Sequence, residues 1–213
     1  IKSFKPEIIF HLAAQPLVKR SYLEPLNTWH TNVIGTCNVL EAMRELEDQC
    51  VAVMITTDKV YENCSWDFGY RENDPLGGHD PYSSSKAAAE LAIASWRSSF
   101  CGPLFHQRPQ LRIASALAGN VIGGGDWSKD RIFPDAMRAL IKEQPISVRS
   151  PLATRPWQHV LEPLSGYLIL AEHLFADPSL ATAFNFGPNK TANRSVQDLV
   201  EEIVAHWSGS WID

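Results

Sequence analysis

Tyr82 and Lys86 stand four residues apart, a spacing that stacks both side chains on one face of a helix. An ammonium group held beside a phenol favours the phenolate. It draws a tyrosine pKa down from about 10 toward the working range and makes a base for a hydroxyl proton. The pair follows an apolar run that ends in Thr56-Thr57-Asp58-Lys59, so the spacing predicts a polar helix start next to a strand end. No HxxxH or HExxH spacing accompanies these residues, and no metal site is expected.

Stepping out to the elements, 7–14 and 51–57 are short apolar runs rich in β-branched residues, expected to be buried parallel strands. Between them, 32–43 carries Val33, Cys37 and Leu40 on one face, an amphipathic crossover helix. A second helix is predicted over 83–100 and a third strand over 111–118. Strands alternating with helices imply an α/β fold, a doubly wound parallel sheet with right-handed crossovers. After Gly119 the pattern changes to a glycine turn at 123–125, a helix over 135–142 and short segments near 146–148 and 157–160. A helix over 162–175, a strand over 184–186 and a helix starting at Ser195 follow, the last marked by a capping box with Asp198. The expected division is a Rossmann-type domain over 1–120 and, over 121–213, a smaller mixed segment with a strand and helix returning to it.

The 213 residues are 45% hydrophobic and 20% charged, with a formal net charge of −5. That suits a packed globular core, and the dispersed Lys and Arg exclude a nucleic-acid partner or an anionic membrane surface. Cys37, Cys50, Cys64 and Cys101 show neither CxxC nor zinc-ligand spacing, which points to a reducing compartment. Neither a charged-then-apolar leader nor an apolar run of membrane-spanning length is visible, so the expected location is the cytoplasm.

In an open parallel sheet, ligands bind beyond the carboxyl ends of the strands. Three segments qualify: His11-Leu12-Ala13-Ala14-Gln15, Thr56-Thr57-Asp58-Lys59 and Gly119-Asn120. The small Ala13 and Ala14 suit either a flat cofactor or close helix packing. Taken together, Ala13-Ala14, Asn32-Val33-x-Gly35-Thr36, Thr57-Asp58-x-Val60-Tyr61, Tyr82-x-x-x-Lys86 and Asn120-Val121-x-Gly123 resemble the extended short-chain dehydrogenases that act on nucleotide-sugars. The strings 57–63, 70–82, 119–127 and 155–160 narrow the resemblance to the CDP-glucose 4,6-dehydratases.

The resemblance implies NAD as cofactor, a nucleotide-sugar substrate and an internal redox cycle at a hexose. Bound NAD would take a hydride from carbon 4 and return it to carbon 6 after water has left from carbons 5 and 6. Ala13, Ala14, Gln15, Asn32, Thr56, Tyr82 and Lys86 would form the cofactor side. Tyr82 would take the 4-hydroxyl proton, Thr57 would hydrogen-bond that hydroxyl, Lys86 would hold the ribose, and Asp58 would protonate the departing 6-hydroxyl. Lys59 stands where related dTDP-glucose dehydratases carry a glutamate base. It would remove the carbon-5 proton as a neutral amine, aided by nearby positive charge, or stabilise the enolate as a cation. Arg131 and Arg155 are the candidates for the phosphates, with Asn120, Gln158 and His159 lining the substrate. The turn at 123–125 is expected to be a loop near the substrate, not a phosphate cradle.

Three departures and alternatives bear on this reading. The glycine-rich dinucleotide fingerprint of the family does not precede Ile1, so two βα units, about 60 to 80 residues, are expected to be missing. The substrate region is likewise expected to extend past Asp213. Leu117 stands where the family usually has arginine. Competing readings are a dTDP-glucose dehydratase, a UDP-hexose 4-epimerase, which does not need Asp58 and Lys59, and a non-catalytic interaction module. The resemblance also implies a homodimer or homotetramer built on the helices around 32–43 and 83–100.

Overall fold

A computed structural model describes residues 1–66, 68–104, 108 and 110–213, with only the backbone of Lys190. Two compact units divide the chain, one formed by 1–118 with 164–186 and the other by 119–163 with 187–213.

In the first unit four parallel strands run in the order β1 (Ile8–His11), β2 (Cys50–Thr57), β3 (Leu111–Ala118) and β8 (Ala183–Phe186). The register pairs Cys50 with Leu111 and Thr57 with Ala118 without a slip, so the carboxyl ends of all four strands share one edge. Successive residues of β2 face opposite layers. Ala52 and Met54 pack with Ile113 against Leu40 and Met43 of α3 (Gly35–Arg44) and Ile93 of α4 (Pro81–Phe100). Val51 and Val53 pack with Ala114 and Ala116 against Tyr167, Leu170 and Leu174 of α6 (Leu161–Ala176). A sheet covered on both faces has no solvated side, which is why β2 and β3 read as continuous apolar runs. Gly166 lets α6 sit close, since a Cβ there would meet the Phe186 ring at 2.3 Å.

Two expectations need correction. β1 is an edge strand in this chain, and Ile8 and Leu12 are exposed, because it pairs on one side only, with β2. The stretch 32–43 is not a single α-helix. After α1 (Val18–Leu23) and α2 (Pro25–Trp29) comes a π-helical turn over His30–Ile34, and only then α3. The Gly35 N–H reaches back to the His30 carbonyl, one residue further than an α-helix allows. A π turn inside a helix is rare and turns its side chains out of the ordinary period. Here it carries Asn32, which is buried. All four cysteines are free thiols. Among the described residues no helix is long and apolar enough to cross a membrane.

The second unit holds three two-stranded ladders: β4 (Val121–Ile122) with β7 (Gln158–His159), β5 (Ile146–Ser147) with β10 (Trp211–Ile212), and β6 (Thr154–Pro156) with β9 (Asn193–Ser195). Its core joins Ala136 and Leu140 of α5 (Ile132–Ile141) to Ile146, Val148, and Val200 and Ile203 of α7 (Val196–His206). The capping box at Ser195 is formed: its hydroxyl accepts from the Asp198 N–H at 3.0 Å, and Asp198 Oδ2 accepts from the Ser195 N–H at 2.8 Å.

Candidate active site

The start of α4 is built to hold one orientation. Asp80 Oδ1 accepts from the N–H groups of Tyr82 and Ser83, each at 3.0 Å, and Pro81 occupies the first turn. Such a cap contributes about 1 kcal/mol and leaves the first-turn donors satisfied. Gly78 must be glycine here, because a Cβ would lie 2.6 Å from backbone atoms of Ser83 and Ser84. Tyr82 and Lys86 follow as the spacing predicts, on one face of α4 and both buried.

Lys86 lies against the end of β2, where its Nζ donates to the Ile55 carbonyl at 3.1 Å. Burial pulls the amine down from its ordinary 10.5 to about 8, and the carboxylate of Glu90 opposes that shift. His11, at the end of β1, is lowered by burial and by the charge of Lys86. Next along the chain, Thr57 ends β2 and caps a 3₁₀ turn over Asp58–Val60. Its hydroxyl donates to Asp58 Oδ1 at 3.1 Å and accepts from the Lys59 N–H at 3.4 Å. Asp58 is half-buried and Lys59 exposed. Thr57, Asp58, Lys59, Tyr82 and Lys86 therefore gather at the carboxyl edge of the sheet around β2.

The cofactor-side set divides by role. Asn32 Oδ1 accepts from the Gln15 N–H at 2.8 Å, while its Nδ2 donates to the Gln15 carbonyl at 3.2 Å and to Ser85 Oγ at 2.9 Å. It ties the loop after β1 to α4. Gln15 spends its side chain on the same loop, since Nε2 donates to the Leu17 carbonyl and Thr28 Oγ1 and Oε1 accepts from the Leu17 N–H. The two side chains thus hold the loop. Thr56 likewise turns its hydroxyl inward, onto Glu90. Beside them lie Ala13, exposed, and Ala14, half-buried, and the buried Lys86. An ammonium has three hydrogens, and the hydrogen bond to Ile55 leaves Lys86 donors for ribose hydroxyls. This donor set fits the nicotinamide-ribose end of a dinucleotide. Among the described residues no glycine-rich turn links a strand to a helix to hold the pyrophosphate.

The substrate-side residues all lie in the second unit. The Gln158 N–H donates to the Asn120 carbonyl at 3.0 Å, bringing Asn120, Gln158 and His159 together on the β4–β7 ladder. His159 Nδ1 accepts from the Leu161 N–H at 3.3 Å. Arg131 pairs with Asp126 at 3.6 Å, and exposed Arg155 donates to the Thr154 carbonyl at 2.7 Å. Gly123 serves packing, since a Cβ there would meet Val160 Cγ1 at 2.5 Å. Leu117, in place of the family's arginine, is buried with Val60, Tyr61 and Ala87.

Reading the sequence for its site overlooked Glu90. It continues the four-residue spacing of Tyr82 and Lys86, a signal that was available, and it is buried with them.

A parallel sheet covered by helices on both faces, with a Tyr-x-x-x-Lys helix against its carboxyl edge, is the architecture of the extended short-chain dehydrogenases. The sequence profile of the family described as GDP-mannose 4,6 dehydratase matches residues 1–209, and the chain belongs to that family. It is 46% identical to a CDP-glucose 4,6-dehydratase of Salmonella typhimurium over 100% of its own length and 60% of that protein's. Among solved structures, a UDP-glucuronic acid 4-epimerase from Bacillus cereus superposes with a TM-score of 0.80 at 18% identity, over 97% of this chain and 62% of the epimerase. A dTDP-glucose 4,6-dehydratase from Streptomyces venezuelae, solved with NAD, gives 0.78 at 20% identity over 96% and 58%. The chain thus spans about three fifths of the length of the relatives it matches.

Proposed function

We propose that the protein carrying this sequence catalyses the NAD-dependent 4,6-dehydration of CDP-glucose to CDP-4-keto-6-deoxyglucose. The observation that carries the reading is the clustering of Thr57, Asp58 and Lys59 with Tyr82 and Lys86 at one strand end. The 46% identity to the Salmonella typhimurium enzyme supports the choice of sugar nucleotide. NAD, when bound, supplies a reversible hydride acceptor. Tyr82 as phenolate takes the proton of the 4-hydroxyl, which Thr57 orients by a hydrogen bond. Lys86 holds the ribose and, as an ammonium, favours the phenolate. Asp58 delivers a proton to the departing 6-hydroxyl, and Lys59 acts at carbon 5. Asn120, Gln158 and His159 line the nucleotide-sugar, with Arg131 and Arg155 on its phosphates. A product of this kind feeds deoxysugar synthesis.

The test uses protein carrying this sequence at the length of its Salmonella typhimurium relative, supplied with NAD and given CDP-, dTDP- or UDP-glucose. Product with the alkaline absorbance of a 4-keto-6-deoxy sugar is expected from CDP-glucose. Epimerised sugar with no keto product would replace the reading with a 4-epimerase, and no turnover would favour an interaction module.

The same protein is expected to be a homodimer or a homotetramer, through α4 and the helical stretch containing α3. Exposed Leu91 on α4 and Ile34 beside α3 support that face. Sedimentation at micromolar concentration should show the dimer, and a monomer alone would sink it.

A further inference from the structure

Glu90 is a carboxyl group in the wrong place for a structural residue. It is buried on α4 one turn beyond Lys86, where an apolar side chain of similar volume would usually pack at no loss of stability. Its carboxyl is nonetheless fully engaged. Thr56 Oγ1 donates to Oε1, and Ser115 of β3, itself fully buried, also hydrogen-bonds to it. Behind Ser115 stands Arg97, whose Nη2 reaches Ser115 Oγ at 3.5 Å. Lys86 and Glu90 thus grip consecutive residues of β2, Lys86 at the Ile55 carbonyl and Glu90 at the Thr56 hydroxyl. The next residue is Thr57.

We propose that Glu90 is a positioning residue, the buried counter-ion that keeps Lys86 an ammonium and fixes the strand end from which Thr57 projects. The need for it follows from the surroundings. Burial works against the charge on Lys86. His11 faces it from β1 and couples to it, Arg97 adds positive charge further along α4, the Tyr61 phenol after β2 feels the charge of Glu90, and β2 and β3 contribute the hydroxyls of Thr56 and Ser115. Among the described residues Glu90 is the one carboxylate that raises the proton affinity of Lys86. Burial raises the Glu90 carboxyl itself, and the Thr56 and Ser115 hydroxyls with the charges of Arg97 and Lys86 work against that rise and support its anion. The nicotinamide charge of a bound cofactor makes the demand on Glu90 greater.

The inference rests on the cofactor role of Lys86 in the proposed reaction, so the first readout is NAD binding, independent of sugar chemistry. In full-length protein, tryptophan quenching by NAD is titrated from acid to alkaline pH. Native protein should bind and lose affinity as Lys86 deprotonates, near pH 8 before cofactor is bound. Glu90→Gln keeps the shape and an oxygen for Thr56 but removes the charge. Its alkaline loss should begin about one pH unit lower, the size expected for losing an opposite charge nearby, and the alkaline limb of kcat/KM should move with it. Glu90→Asp, retaining charge, should keep the limb near its native position. A folded Glu90→Gln variant with an unmoved limb overturns the proposal. Should that variant fail to fold, Ser115→Ala carries the test: it removes one hydrogen bond from the carboxylate, and a smaller shift in the same direction is expected, an unmoved limb again overturning the idea. Failure of native protein to bind NAD would instead strike the proposed function.

Discussion

Tyr82→Phe is expected to lower turnover of CDP-glucose by about 10² to 10⁴, the range for losing a positioned acid–base group, with a much smaller loss of NAD affinity. The ring is buried at the start of α4, and the phenylalanine ring fills the same space. Asp80 still caps the helix through backbone N–H groups that the substitution does not touch. Lys86→Met should behave differently, losing turnover and NAD affinity together, because Lys86 both favours the phenolate and meets the ribose. The pH dependence has a definite sign. Rate falls as Lys86 gives up its proton, from about 8 in the cofactor-free protein, since a neutral amine no longer supports the phenolate. Turnover by Tyr82→Phe within about threefold of native, well short of the loss expected for a general base, would remove Tyr82 from that role.

This site was legible in the sequence to an uneven degree. Val51–Thr57 and Leu111–Ala118 announced themselves because both sheet faces are covered and most positions are apolar. Tyr82 and Lys86 were found because helical spacing translates directly into a shared face. Asn32 was in view as a motif residue, but its bridge between Gln15 and Ser85 depends on the π turn at His30–Ile34. A single wider turn of five residues leaves no periodic trace in the sequence. The ladders β5–β10 and β6–β9 are two or three residues long, too short for alternation to emerge, and their partners are distant in sequence. Glu90 was hidden for another reason: charged residues on helices are ordinarily solvated. The four-residue spacing puts it on the face of Tyr82 and Lys86, and the hydrogen bonds from β2 and β3 show that this face turns inward.

The turn after β2 carries the second large effect. Lys59→Met should slow exchange of the carbon-5 hydrogen with solvent deuterium by about 10² or more, with NAD binding intact. Its backbone N–H bonds Thr57 Oγ1 whatever the side chain, and the side chain is exposed, so the turn should keep its shape. Lys59→Arg then separates the two roles open to this residue. An amine removes a proton only while neutral, whereas a guanidinium is charged at every working pH yet retains the positive field. Proton abstraction by Lys59 predicts that Arg exchanges as slowly as Met. Electrostatic support of the enolate predicts that Arg recovers most of the rate, because the cation survives. We expect the first outcome, since the proposed mechanism already assigns Asp58 as the acid at carbon 6 and Tyr82 as the base at the 4-hydroxyl. Lys59 is the one remaining group on this turn that can take a proton from carbon. Native-rate exchange in Lys59→Met would move that step to a residue outside the turn.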